Sequence, residues 1–193
     1  MIESEMTVDP ENHCVFCEIV AGREPHERVA EDERTVAFMD IDPGADGHVL
    51  VIPKTHSADL LTISAEDLIA TTLMAQRIAR AAAPALRADG ITMLNCCGEV
   101  GWQTVYHFHL HVIPRYTDQR RDRMKLPYEP GTPSDPVVRR GFANALAAEL
   151  QSAVNEDARA DPEFVTPWVS STRPLRGDFP TLARSAPRPT DLS

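Results

Sequence analysis

Tyr106-His107-Phe108-His109-Leu110-His111-Val112-Ile113-Pro114 is the stretch whose reading decides the fold of this chain. Imidazoles alternate with apolar side chains, and an extended strand turns successive side chains to opposite faces. A strand here carries His107, His109 and His111 on one face and sends Phe108, Leu110 and Val112 into a core. Successive imidazoles then stand about 6.5–7 Å apart at a rise of about 3.3 Å per residue, so two can hold one phosphate-sized group. A helix would scatter the same rings around its circumference. The pattern predicts a strand, begun at Thr104, with a functional face.

Working outward, Val29-Ala30, Thr35–Met39 and the β-branched run His48–Pro53 read as strands, the last with His48 on the face of Leu50 and Ile52. Asp40–Gly47, rich in Asp, Pro and Gly, is turn chemistry. Ser64 with Asp67 reads as a helix N-terminus, continued to about Arg87 by an apolar stripe and ended or kinked at Pro84. Ile91–Cys97 reads as a further strand, and Gly98–Trp102 as a loop. Asp135/Pro136 opens a late helix over Val137–Val154. Short turns between neighbouring strands favour antiparallel pairing, so the class is α+β. The predicted organisation is an arm over 1–12, one domain over 13–118, a loop and helix over 119–156, and a Pro-rich irregular tail over 157–193. Phe164, Trp168, Leu175 and Phe179 are candidate docking anchors in that tail.

The chain has 193 residues and a formal charge of −10, with 42% hydrophobic residues. That charge repels polyanions and argues against nucleic acid or an acidic membrane as partner. A small phosphorylated substrate remains possible through local donors. No apolar run reaches a membrane span and the N-terminus is acidic, so a soluble, cytoplasmic protein is expected. The four cysteines form two pairs, Cys14/Cys17 and Cys96/Cys97. The adjacent pair reads as small apolar filler. Cys14-x-x-Cys17 has metal-ligand spacing and needs two more ligands, for which His56 and His107 are best placed. Such a closed Cys₂His₂ site leaves no position for a reactive water, so its zinc is structural.

For the histidine face three readings are open on residue chemistry alone. His109 could attack phosphorus as a neutral imidazole, with His111 donating to a phosphate oxygen or the leaving group. The three histidines could bind one catalytic metal, although neighbours on a flat strand converge poorly on one ion. They could also simply fill a polar face.

His107-Phe108-His109-Leu110-His111-Val112-Ile113 resembles the signature of the histidine triad (HIT) family. Cys14-Val15-Phe16-Cys17, Phe38-Met39-Asp40-Ile41, Gly47–His56, Asn95 and Gln103–Tyr106 resemble family positions in the same order, so the likeness covers roughly residues 14–116. It implies an antiparallel sheet of about five strands with one long helix, and a homodimer whose sheets join edge to edge. It also implies nucleotidyl hydrolysis or transfer at an α-phosphate of a dinucleoside polyphosphate or nucleoside phosphoramidate. By resemblance, His109 is the nucleophile and His111 and His48 its catalytic partners. Asp40 accepts the ribose hydroxyls, and Gln103, Thr104 and Asn95 line the phosphate. Phe16, Phe38 and Ile41 wall the base, and Cys14, Cys17, His56 and His107 hold zinc. A phosphorylase, or a nucleotide-binding module with incidental turnover, is the alternative. Trp102, beside the phosphate position, departs from the small residue usual there, and the loop from Asn95 to His107 is one residue longer than in most members.

Overall fold

The computed structural model describes residues 14–125 and 134–160. The chain divides into two compact units, 1–127 and 128–193. In the first, five strands form one sheet: β1 (Arg28–Glu31), β2 (Thr35–Met39), β3 (Val49–Pro53), β4 (Gly90–Leu94) and β5 (Leu110–Arg115). Their order is β1-β2-β3-β5-β4, with every neighbouring pair antiparallel. The short helix α1 (Val15–Val20) and the long helix α2 (Ala65–Leu86) complete the unit. The expected α+β class and five-stranded antiparallel sheet are both present.

Alternation assigns the faces. Ala37, Val49, Val51, Leu110 and Val112 pack with Met74, Ala75 and Ile78 of α2, and Phe108 lies fully buried among them. Val36, Phe38, Leu50 and Ile52 face the other way, onto Phe16 and Ile19 of α1. His111 of β5 lies on this second face, and His109, just before the strand, packs edge-on against Phe16 of α1. Helix α2 starts as its sequence indicates: the Ser64 hydroxyl oxygen accepts from the Asp67 backbone N–H at 3.1 Å. The buried Asp67 carboxylate in turn takes the Arg34 guanidinium at 2.8 Å. Pro84 neither ends nor breaks the helix, which runs to Leu86 and closes with Arg87 in the left-handed region. Pro84 has no N–H to give the Arg80 carbonyl one turn back, and the helix continues for only two residues beyond it.

Three boundaries differ from expectation. β5 begins at Leu110, not at Thr104, and β4 ends at Leu94, before Cys96 and Cys97. Residues 95–109 bend away because their polar groups bond elsewhere: Phe108 N–H donates to Ser57 C=O at 2.6 Å, and His107 N–H to Val105 C=O at 2.9 Å. In the second unit, α3 spans Pro136–Ala160, longer than the expected helix at its C-terminal end. Phe142, Leu146 and Leu150 on it are exposed. The arm over 1–12 and the proposed anchors Phe164, Trp168, Leu175 and Phe179 lie outside the described residues.

Candidate active site and metal cradle

The site is built where β3 and β5 pair, Leu50 opposite His111 and Val51 opposite Leu110. His107 turns away from its two neighbours. Its Nε2–H donates to the Pro53 carbonyl at 2.9 Å, which leaves Nδ1 as a lone pair. That nitrogen lies 3.4 Å from Cys14 Sγ, 3.6 Å from Cys17 Sγ and 3.3 Å from His56 Nδ1. Cys17 Sγ is 3.3 Å from His56 Nδ1. Metal–nitrogen bonds of about 2.0–2.1 Å and metal–sulfur bonds of about 2.3 Å place tetrahedral ligands roughly 3.3–3.8 Å apart. The four donors therefore fit a tetrahedral ion, with a second-shell carbonyl fixing the His107 tautomer. Burial pushes the His107 imidazole down to about 4, so it is neutral and able to ligate.

One residue pair later the same logic sets the middle histidine. His109 Nδ1–H donates to the His107 carbonyl at 2.7 Å, so its Nε2 keeps a free lone pair. The ring is buried and stands edge-on to Phe16, with centroids 5.3 Å apart. Burial lowers its pKa, against the opposing pull of the His107 carbonyl. A neutral imidazole with Nε2 unprotonated is a nucleophile.

His111 and His48 form a chain beside it. His48 Nε2 lies 3.0 Å from His111 Nδ1. On its far side, His48 Nδ1 is 3.2 Å from the Gly44 N–H and 3.2 Å from Asp40 Oδ2. These two contacts belong to different protonation states. In the neutral chain Nδ1 accepts from Gly44, His48 Nε2–H donates to His111, and His111 carries its proton on Nε2. An added proton on His48 Nδ1 faces Asp40 instead. Burial lowers His48 and pushes His111 down to about 4.

A cavity of about 300 Å³ opens over these rings, at the small end of ligand pockets. Phe16, Phe38, Asp40, Ile41, Thr104, His109 and His111 all line it. Phe16 and Phe38 are buried there, while Ile41 is 94% exposed at its rim. Gln103 is placed differently from the expectation that it meets phosphate. Its Oε1 accepts from Gly98 N–H at 2.8 Å, and its Nε2 donates to Ala58 C=O at 2.6 Å and Val105 C=O at 3.1 Å. The buried amide thus ties down the 98–105 loop. Asn95 donates to the His109 carbonyl at 3.0 Å and braces the strand entry, while its buried Oδ1 has no partner among the described residues. Trp102 is 63% exposed at φ +69° and does not line the cavity. Sequence reading missed Ile19, His26 and Leu50, which also line it. The one-turn spacing Phe16–Ile19 on a short helix was the available signal for the first; nothing in the sequence marks His26, whose ring meets Phe38 edge-on at 5.8 Å.

The fold and site together define a small α+β protein that presents a buried imidazole, held by a backbone carbonyl, at a compact pocket beside a Cys₂His₂ cradle. The HIT-domain model matches residues 21–118, and the chain belongs to the HIT family. It is similar to the adenosine 5′-monophosphoramidase of Schizosaccharomyces pombe, 30% identical over 141 residues, 73% of this chain and 98% of that one. A HIT family protein from Bacillus anthracis superposes with a TM-score of 0.65 at 33% identity, over 72% of this chain and 97% of the other. A zinc-bound histidine triad family protein from Mycobacterium smegmatis is 40% identical, with a TM-score of 0.55 over 72% of this chain and 96% of its own. Among the described residues no helix is long and apolar enough to cross a membrane.

Proposed function

We propose that the chain is a nucleotide hydrolase or transferase that cleaves at the α-phosphate of a nucleoside phosphate substrate through a nucleotidyl-histidine on His109. One observation carries the reading: His109 is locked by the 2.7 Å bond from Nδ1–H to the His107 carbonyl, with Nε2 left free on a ring that lines the cavity of about 300 Å³. The similarity to an adenosine 5′-monophosphoramidase supports a phosphoramidate or dinucleoside polyphosphate as substrate. The base sits between Phe16, Phe38 and Ile41, the ribose hydroxyls meet Asp40, and Thr104 borders the phosphate, while Asn95, which does not line the cavity, supports the site from behind through the His109 carbonyl.

The His109 Nε2 lone pair forms a bond to phosphorus while the bond to the leaving group breaks. A proton entering at His48 Nδ1 beside Asp40 lets the Nε2–H shift to His111. His111 passes its own Nε2–H to the leaving atom. Water then attacks the phosphorus, the P–N bond breaks, and the water's proton leaves by the reverse route. The products are a nucleoside monophosphate and the protonated leaving group, with all side chains restored. A second phosphate in place of water would make the protein a phosphorylase.

Cys14, Cys17, His56 and His107 would hold a structural zinc that clamps the N-terminal segment to the strand entry. Thiolate with imidazole suits zinc, and the zinc-bound Mycobacterium smegmatis relative agrees. β4 leaves one edge unpaired within the described sheet, and a homodimer would join two such edges. Four free thiols suit a reducing, cytoplasmic setting. Incubation with adenosine phosphoramidate and with diadenosine tetraphosphate tests the reading. AMP should form from at least one, and His109→Ala should lower the rate at least about 10³-fold. Binding without turnover, or an undiminished His109→Ala, would establish a nucleotide-binding module instead.

A further inference from the structure

A second cavity, of about 340 Å³, adjoins the first and shares Asp40, Asp42, Thr104 and His111 with it. Its other walls include Leu94, Cys96, Ile113 and Met124. His109 lines only the first cavity, so a group departing in line, away from its Nε2, moves toward the second. Leu94, Cys96 and Ile113 make that wall apolar, and none of the described residues lining it is Lys or Arg. Beyond Met124 the character reverses. A third cavity, of about 470 Å³, also lined by Met124, carries Arg115, Arg123 and Lys125.

The register explains the sequence of environments. His111, Ile113 and Arg115 alternate along one face of β5, which begins directly after His109, so nucleophile, apolar patch and cation follow one another along the chain. His111 and Arg115 are about 13 Å apart at strand rise. Arg115 is already bound by Asp122 at 2.7 Å, and Arg123 gives one guanidinium N–H to the Pro43 carbonyl at 2.5 Å. Neither Arg123 nor Lys125 has a carboxylate partner among the described residues. In a chain of formal charge −10 this is a local concentration of positive charge.

We propose that the leaving-group side is a two-part subsite, apolar at Leu94, Cys96 and Ile113 and cationic past Met124 at Arg123 and Lys125, which takes a leaving group with an apolar body and a distal anion. The proposal rests on the hydrolase reading above and narrows its substrate class. Met124, Arg123 and Lys125 come from beyond the matched family segment, so this preference is a property of the chain's own extension.

Three adenosine 5′-phosphoramidates test it: that of ammonia, that of 1-aminooctane, and that of 8-aminooctanoate, whose arm approaches the about 13 Å span. Burial of the arm should raise kcat/KM at least about ten-fold over the ammonia compound. The terminal carboxylate should add about three-fold more, as expected for exposed ion pairs, and this increment should vanish in Lys125→Glu and in high salt. In Cys96→Phe the ratio of the 1-aminooctane rate to the ammonia rate, both measured on the variant, should fall to about one. Equal rates on all three substrates would overturn the apolar part. A carboxylate increment that is absent, or indifferent to Lys125→Glu and salt, would overturn the cationic part. Cleavage of none would instead sink the hydrolase reading itself, and this proposal with it.

Discussion

Backbone groups fix the tautomers of His107, His109 and His48, the His48 ring in turn fixes that of His111, and each assignment makes a separate demand. Asp40 holds two places at once: its Oδ1 accepts the Asp42 N–H at 2.9 Å while Oδ2 faces His48. Asp40→Asn should lower kcat by about ten-fold if the carboxylate draws a proton onto His48, with a shifted pH profile. A change in KM alone, matched by a 2′-deoxy substrate, would leave it only the ribose. Gln103→Ala should leave buried loop groups unpaired and cost about 2–3 kcal/mol, read by denaturant unfolding. Of the histidine face only His111 was legible from the period of two; His107 and His109 lie before β5 begins, and bonds to the Pro53 and His107 carbonyls set their rings instead. The task of Gln103 was not legible, since its position in a motif places the residue but leaves its hydrogen-bond partners open.

At the level of elements, the strongly patterned segments came out as their sequences indicate: β2, β3 and the capped start of α2 lie where apolar period and N-cap place them. The ends of β4 and β5 did not. Tertiary bonds from Ser57 and Pro53 draw residues 95–109 off the sheet, and no local propensity encodes them. Gly47 marks a place where sequence and packing agree. At φ +80° the position favours glycine, and an added Cβ would lie 2.3 Å from Leu86 Cδ1, a side-chain tip that can move aside. Gly47→Ala should destabilise by about 1–2 kcal/mol, chiefly through backbone strain. Phe108→Ala, emptying a fully buried site between sheet and α2, should cost about 3–5 kcal/mol. Thermal melts of both variants check the ranking.

For the whole molecule, buried neutral imidazoles tie stability to pH. Burial pushes the folded His111 imidazole down to about 4 from an ordinary 6.5, so the unfolded chain binds more protons between these values. Stability is therefore full above about 6.5 and is lost as pH falls toward 4. Melting temperatures across that window should fall with acid and level off below it. Chelation at neutral pH should lower the melting temperature by about 10 °C or more, since a structural metal contributes directly to folding. Elemental analysis of the untreated protein showing no zinc would refute the clamp. His107 would give such a metal dependence a sharper edge: its ring belongs to the cradle while its carbonyl holds the His109 ring two residues on. If zinc fills the cradle and His109 attacks as proposed, one residue joins scaffold to chemistry, and a cell starved of the ion would accumulate copies that fail in aim before they fail in shape.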